Sequence, residues 1–241
     1  MKHHTLHGAG LALRPALLAP LSKRTPDNLQ FLELTPPDWI GVGGRVGNDL
    51  QRLTHHYPAV CLSQSLSLGG PGALDQEVLR DLRAFIAEHN IQVFSEALAW
   101  SADDAPLFIN LPIPSTQAAV AWTVARIAQV QDALGMRIGI RNVAHRMVPK
   151  QVEMNEAQFI NAVVQASGCR LHLDLHALAA NALHFKFDPH AFIQALPLAS
   201  IDYVRVGREY PLLGDLLACT HRRVARCVDD VKQLNLGAVT C

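Results

Sequence analysis

Apolar positions along this chain follow two periods. Short apolar or alternating runs at 8–14 (GAGLALR), 31–35 (FLELT), 60–68 (VCLSQSLSL), 93–100 (VFSEALAW), 138–143 (IGIRNV), 171–176 (LHLDLH), 203–207 (YVRVG) and 236–241 (LGAVTC) read as strands. Between them the period lengthens to that of a helix. Asp75 is placed to cap a helix carrying Val78, Leu79, Leu82, Phe85 and Ile86 on one face, and Ser115 to cap a longer one ending near Gly135. Asn155 starts another that ends before Gly168, Asp188-Pro189 is a cap followed by a first-turn proline, and a last helix is expected from Leu213 to Leu234. Eight strands separated mainly by helices predict a (β/α)8 TIM barrel of the α/β class, a single domain over 1–241. With the eighth strand set at 236–241, the last helix is expected to be missing or truncated. A doubly wound sheet is the alternative, but no glycine-rich phosphate loop follows the first strand.

In such a barrel, chemistry sits at the C-terminal strand ends and in the loops beyond them. Those ends carry Glu33 and Thr35, Ser63 and Ser65, Glu96, Arg141 and Asn142, Asp174 and His176, Arg205 and Arg208. Each alone could be a helix cap or a solvated loop residue; together they converge on one mouth. If 171–176 is extended throughout, His172, Asp174 and His176 share one face, and imidazole with carboxylate suits zinc, iron or manganese. The bland alternative is a strand end whose polar groups bond to one another.

Composition narrows the function. Of 241 residues, 49% are hydrophobic, enough for a core without staples. Lys plus Arg and Asp plus Glu both total 21, so no basic surface points to nucleic acid. Cys61, Cys169, Cys219, Cys227 and Cys241 are odd in number and form no CxxC pair, which suggests reduced thiols and a cytoplasmic protein. Neither a signal peptide nor a membrane span is expected, since Arg14 and Pro15 interrupt the first long apolar run. No nucleophile elbow, P-loop or HExxH is present.

The stretches GAGLALRP, FLELTPPDWIG, SLSLGG, FSEALAWS, LPIPST, IAQVQDALGMRIGIRN and CRLHLDLHALAANALHFKFDPHAFIQALP, in order from about Gly8 to about Gly207, resemble the multinuclear non-heme iron-dependent oxidases. This TIM-barrel family, xylose-isomerase-like in form, includes the methanobactin-biosynthesis oxidase. The resemblance implies oxygen-dependent modification, often at cysteine, of a ribosomally made peptide. It also implies two or three irons held by histidines and carboxylates, and a partner protein that presents the peptide.

Position by position, the implied ligands are largely replaced. Leu62 and Ala97 stand where the family carries histidines, Arg141 where it carries a glutamate before Asn142, and Arg205 where it carries a histidine. Glu96, Asn142 and Asp174 remain. A guanidinium is permanently charged and cannot be a ligand. The leading expectation is therefore a diverged, iron-free relative that binds a peptide, a partner protein or another ligand, possible as a homo- or hetero-oligomer. Arg141, Arg205 and Arg208 could then bind an anion with Asn142 nearby, or pair with Glu96 or Asp174. The competing expectation is an iron-dependent oxidase with a rebuilt site of Glu96, Asp174 and His176, with His172 or His184 in support.

Overall fold

The apolar strands of this chain close on themselves. The computed structural model describes residues 6–24, 26–103, 105–207 and 225–228. In chain order the elements are β1 (Ala9–Ala12), α1 (Pro15–Lys23), β2 (Phe31–Leu34), α2 (Gly44–His56), β3 (Ala59–Ser63), α3 (Gln76–Glu88), β4 (Ile91–Ala97), β5 (Trp100–Ala102), β6 (Pro106–Leu111) and α4 (Gln117–Leu134). They continue with β7 (Gly139–Arg141), α5 (Glu156–Ser167), β8 (Arg170–Asp174), α6 (Leu175–Phe185), α7 (Pro189–Gln194), β9 (Ile201–Val206) and β10 (Ala225–Val228). Strands β1, β2, β3, β4, β7, β8, β9 and β10 pair in parallel around a closed barrel, and β5–β6 is a separate antiparallel hairpin between β4 and α4.

The barrel has two apolar layers. The larger lies between strands and helices and includes Phe94, Ile140, Leu171, Leu173 and Val204 from the outer strand faces. The smaller fills the lumen with Ala12, Phe31, Val60, Tyr203 and Cys227. Gly10 makes room for this plug, because a Cβ there would come within 2.2 Å of the Phe31 ring. Among the described residues no helix is long and apolar enough to cross a membrane, and Cys61 and Cys169 are buried free thiols.

Most of the expected punctuation appears. Asp75 accepts from the amides of Glu77 and Val78, and Asp188 from that of His190. Asn155 and Gln158 form a reciprocal capping box on α5. Gly135 and Gly168 end α4 and α5 in the left-handed conformation. The cap of α4 falls one residue later than expected, on Thr116, because the Ser115 backbone bridges to Val152.

Three local expectations are corrected. The strand read to 176 ends at Asp174, whose Oδ1 accepts the Ala177 amide at 2.9 Å and starts α6. His176 therefore lies in the first turn of a helix and shares no strand face with His172 and Asp174. The run 93–100 ends as a barrel strand at Ala97, and Trp100 opens the hairpin. The closing strand is Ala225–Val228, inside the span expected to be the last helix. It pairs Cys227 with Arg205 on one side and with Gly10 on the other. Its apolar residues are spaced so that either period can be drawn through them, and closure of the sheet decides. Residues 229–241 follow it and, like Arg208, lie outside the described residues, so a missing or truncated last helix loses the basis it had in a strand at 236–241.

Candidate functional site

Parallel register places partner residues on the same face of a sheet. Ser95 is in register with Leu62 and Gly139, Ala97 with Arg141, Arg141 with His172, His172 with Tyr203, and Asp174 with Arg205. Tyr203 lies in the lumen, so this set faces inward. Glu96 is instead in register with Ser63 and Ile140, on the outer face. The structure thus brings together Arg141, Asp174 and Arg205, and leaves Glu96 on the far side of its strand.

The inward set forms one connected polar network. The Arg141 Nη1 donates to Asp174 Oδ2 at 3.1 Å, and Arg205 Nη1 lies 3.9 Å from the same oxygen. The other arm of Arg205 approaches Glu33, with Nε 3.6 Å from Oε1. The Tyr203 hydroxyl donates to Glu33 Oε2 at 2.9 Å. Asn142 bonds the Asp174 backbone twice, accepting from its amide at 2.8 Å and donating to its carbonyl at 2.9 Å. All four carboxylate oxygens of Glu33 and Asp174 therefore face protein donors. Two guanidinium groups balance two carboxylates, which is what removal of such charges from water requires.

Below the ion pairs, Ser95 donates to the Cys61 carbonyl at 3.1 Å and lies 3.1 Å from His172 Nδ1. With the serine proton so used, Nδ1–H is the donor to Ser95, and His172 Nε2 is left as a buried acceptor with no hydrogen bond. The ring stacks on Tyr203 with centroids 3.9 Å apart. Burial first, then the positive charges of Arg141 and Arg205, push His172 well below the usual histidine range. Burial, reinforced by the Glu33 charge, holds the Tyr203 hydroxyl and the Cys61 thiol well above theirs. Burial also raises Glu33, against the pull of Arg205, Tyr203 and Arg141. A neutral histidine and a protonated phenol thus hold their protons inside the lumen, while Cys61, on the outer face of β3 in register with Phe94, holds its own in the outer layer.

Glu96 is a different kind of acid. It is fully buried, and neither carboxylate oxygen has a hydrogen bond of normal geometry. Burial raises it to about 7, against the nearby Ser63 hydroxyl and the amides of Leu66 and Ala97. Of the other expected residues, Ser63 Oγ accepts the Ser65 amide, Thr35 precedes a 3-10 turn, and His176 is exposed against Gly207. His184 caps nothing in the mouth; its ring packs on Phe185.

Iron, which the resemblance implies, needs several free oxygen and imidazole donors around one point. Among the described residues no cluster of three or more His, Cys, Asp or Glu side chains could hold a metal ion. Asp174 is engaged by two arginines and by the α6 amide, and Leu62 and Ala97 add no donor. The described residues of the mouth do not fit a multi-iron group. Glu33, missed as a partner of the arginines, was visible as a buried acid at a strand end; its bond to Tyr203, 170 residues away, was not.

The family of RiPP precursor modification enzymes MbnB/TglH/ChrH matches residues 8–234. A UPF0276 protein of Pseudomonas aeruginosa is 37% identical over 242 residues, covering 100% of this chain and 84% of the relative. One from Alcanivorax borkumensis is 38% identical over 223 residues, covering 89% and 75%. Among solved structures, D-psicose 3-epimerase from Clostridium cellulolyticum H10 superposes with a TM-score of 0.61 at 13% identity, covering 93% of this chain and 82% of that one. L-ribulose 3-epimerase gives 0.59 at 16%, covering 92% and 78%. At these identities the epimerases share the barrel, xylose-isomerase-like, and nothing more.

Proposed function

Because this chain belongs to the MbnB/TglH/ChrH family of RiPP precursor modification enzymes, we propose that it is a binding member of that family, one whose barrel mouth has exchanged metal ligation for an internal ion-pair network. Its role is to engage a precursor peptide or a partner protein without oxidising it. The observation that carries this reading is the Arg141–Asp174–Arg205–Glu33 chain, in which fixed cations occupy the carboxylates that a metal would need. At about 4 Å from a divalent ion, a fixed unit positive charge costs several kcal/mol even at an effective dielectric of ~20. The same network argues against anion capture by Arg141, whose side chain is 6% exposed and already paired.

The alternative, an iron-dependent oxidase built on Glu96, Asp174 and His176, would have to gather groups from the outer face of β4, the lumen and the first turn of α6. Among the described residues neither carboxylate oxygen of Glu96 is hydrogen-bonded to Asp174 or His176. The test is elemental analysis of protein expressed with iron supplementation and purified without chelator. Less than about a tenth of an iron per chain is expected; near-stoichiometric iron overturns the proposal.

A further inference from the structure

Outside the lumen, on the flank where β7 leaves the barrel, a cleft of about 590 Å³ opens between the β7–α5 loop and the α6–α7 segment. That volume falls in the range of small-ligand sites. Its walls are Ile113, Val143, Met154 and the rings of Phe185, Phe187 and Phe192. Its polar lining is Ser115, His145, Asn155, Glu156 and Asp188: two carboxylates, one of which faces His145 and raises it above the usual histidine range against the effect of burial, and no Lys or Arg among the described lining residues.

The cleft is held open by bonds at both ends of its loop. Asn181, buried in α6, donates to the Val143 carbonyl at 2.9 Å and accepts the His145 amide at 3.1 Å. At the other end the Glu153 and Met154 amides donate to the Ser115 carbonyl at 2.8 and 3.2 Å. His145 spends both its nitrogens internally, on the Met147 carbonyl at 2.9 Å and on Glu156 at 3.7 Å. What remains for a ligand is acceptor capacity: the second Glu156 oxygen and the outer oxygen of Asp188, whose Oδ1 caps α7. Val148 and Val152 line the same cleft yet stay 65% and 55% exposed, apolar surface that an apolar occupant would cover.

We propose that this cleft is a ligand site for a protonated amine on an apolar body, the apolar part seated among the phenylalanines and the ammonium set against Glu156 and Asp188. The site is independent of the lumen, so it stands or falls separately from the iron-free reading. The chemistry is the same whether the amine is a small aryl-alkylamine or the free amino terminus of an apolar peptide, and the test separates the two.

Binding is measured by calorimetry on the full chain with four probes. These are 2-phenylethylamine, the neutral 2-phenylethanol, and a Phe-Leu-Val amide with a free or an acetylated amino terminus. At least one free amine should bind saturably, about tenfold tighter than its neutral counterpart, a difference of about 1.4 kcal/mol. Glu156→Gln should erase that preference. Ala191→Trp, a substitution at an exposed lining position of α7, should abolish binding with the thermal midpoint unchanged. Tight binding of the peptide alone identifies the occupant as a chain terminus, and of phenylethylamine alone as a small amine. No saturable binding of either amine up to millimolar concentration, equal affinity for charged and neutral probes, or binding that survives Ala191→Trp overturns the proposal.

Discussion

At the scale of single residues, buried acids divide by whether a cation reaches them. Asp174 has two guanidinium neighbours and Glu33 one, whereas Glu96 sits in the outer layer with no ion pair among the described residues. Its carboxyl rises from 4.5 to about 7, burial being the main cause. An acid whose folded value lies above its unfolded value holds its proton longer in the native state, so stability falls as pH rises from 4.5 to about 7 and stays low above. The full loss is about 3 kcal/mol. Glu96→Gln keeps the shape of the protonated acid and cannot ionise. Urea unfolding at pH 8 should show the variant more stable by about 2–3 kcal/mol, with near equality at pH 4.5. A variant less stable at both pH values would mean that the ionised carboxylate is held by bonds not seen here.

At the scale of elements, caps and strand periods carried most of the fold, and the losses fall where two periods compete. Asp75, Asn155 and Asp188 announce their helices because a short acceptor side chain followed by helical spacing has few other uses. The β5–β6 hairpin was hidden because its first strand starts on the last residue of a run that stays apolar past Ala97. The closing strand was hidden because Ala225–Val228 earns its place only by pairing with β9 and β1 at once. The β8–α6 junction was misread for the same kind of reason: Asp174 is both the last strand residue and the cap of α6, and the cap wins over alternation. That double duty can be separated. Asp174→Asn keeps a capping oxygen and loses the charge, and Asp174→Ala loses both. Breaking the buried pair should cost about 3–5 kcal/mol in either variant. The alanine should cost about 1 kcal/mol more by denaturant unfolding. Equal stabilities would show that the Ala177 amide finds another acceptor.

At the scale of the whole molecule, the described part of the lumen balances its own charges, two guanidiniums against two carboxylates. The barrel, its mouth and the strand ends were legible because periodicity and register survive substitution. The role proposed for the mouth rests in the sequence on a set of departures alone, since which arginine meets which acid depends on pairings between strands far apart in sequence, as Tyr203 and Glu33 show. If the departures are confined to side chains, the backbone should still present a metal mouth. The combined variant Leu62→His, Ala97→His, Arg141→Glu and Arg205→His places three carboxylates and, with His172, four imidazoles on the inward face, with Glu33 and Asp174 retained and both guanidiniums removed. Such a lumen carries uncompensated negative charge, so its folding should become dependent on a divalent cation. The expected result is a thermal midpoint that rises with added Fe(II) under anaerobic conditions, by the equivalent of about 2.7 kcal/mol at a hundredfold excess over the dissociation constant. The unsubstituted protein should not respond. A variant that folds equally well with and without metal, and retains none after gel filtration, would mean that the strand ends themselves have shifted, and that loss of the ligands was not a change of side chains alone.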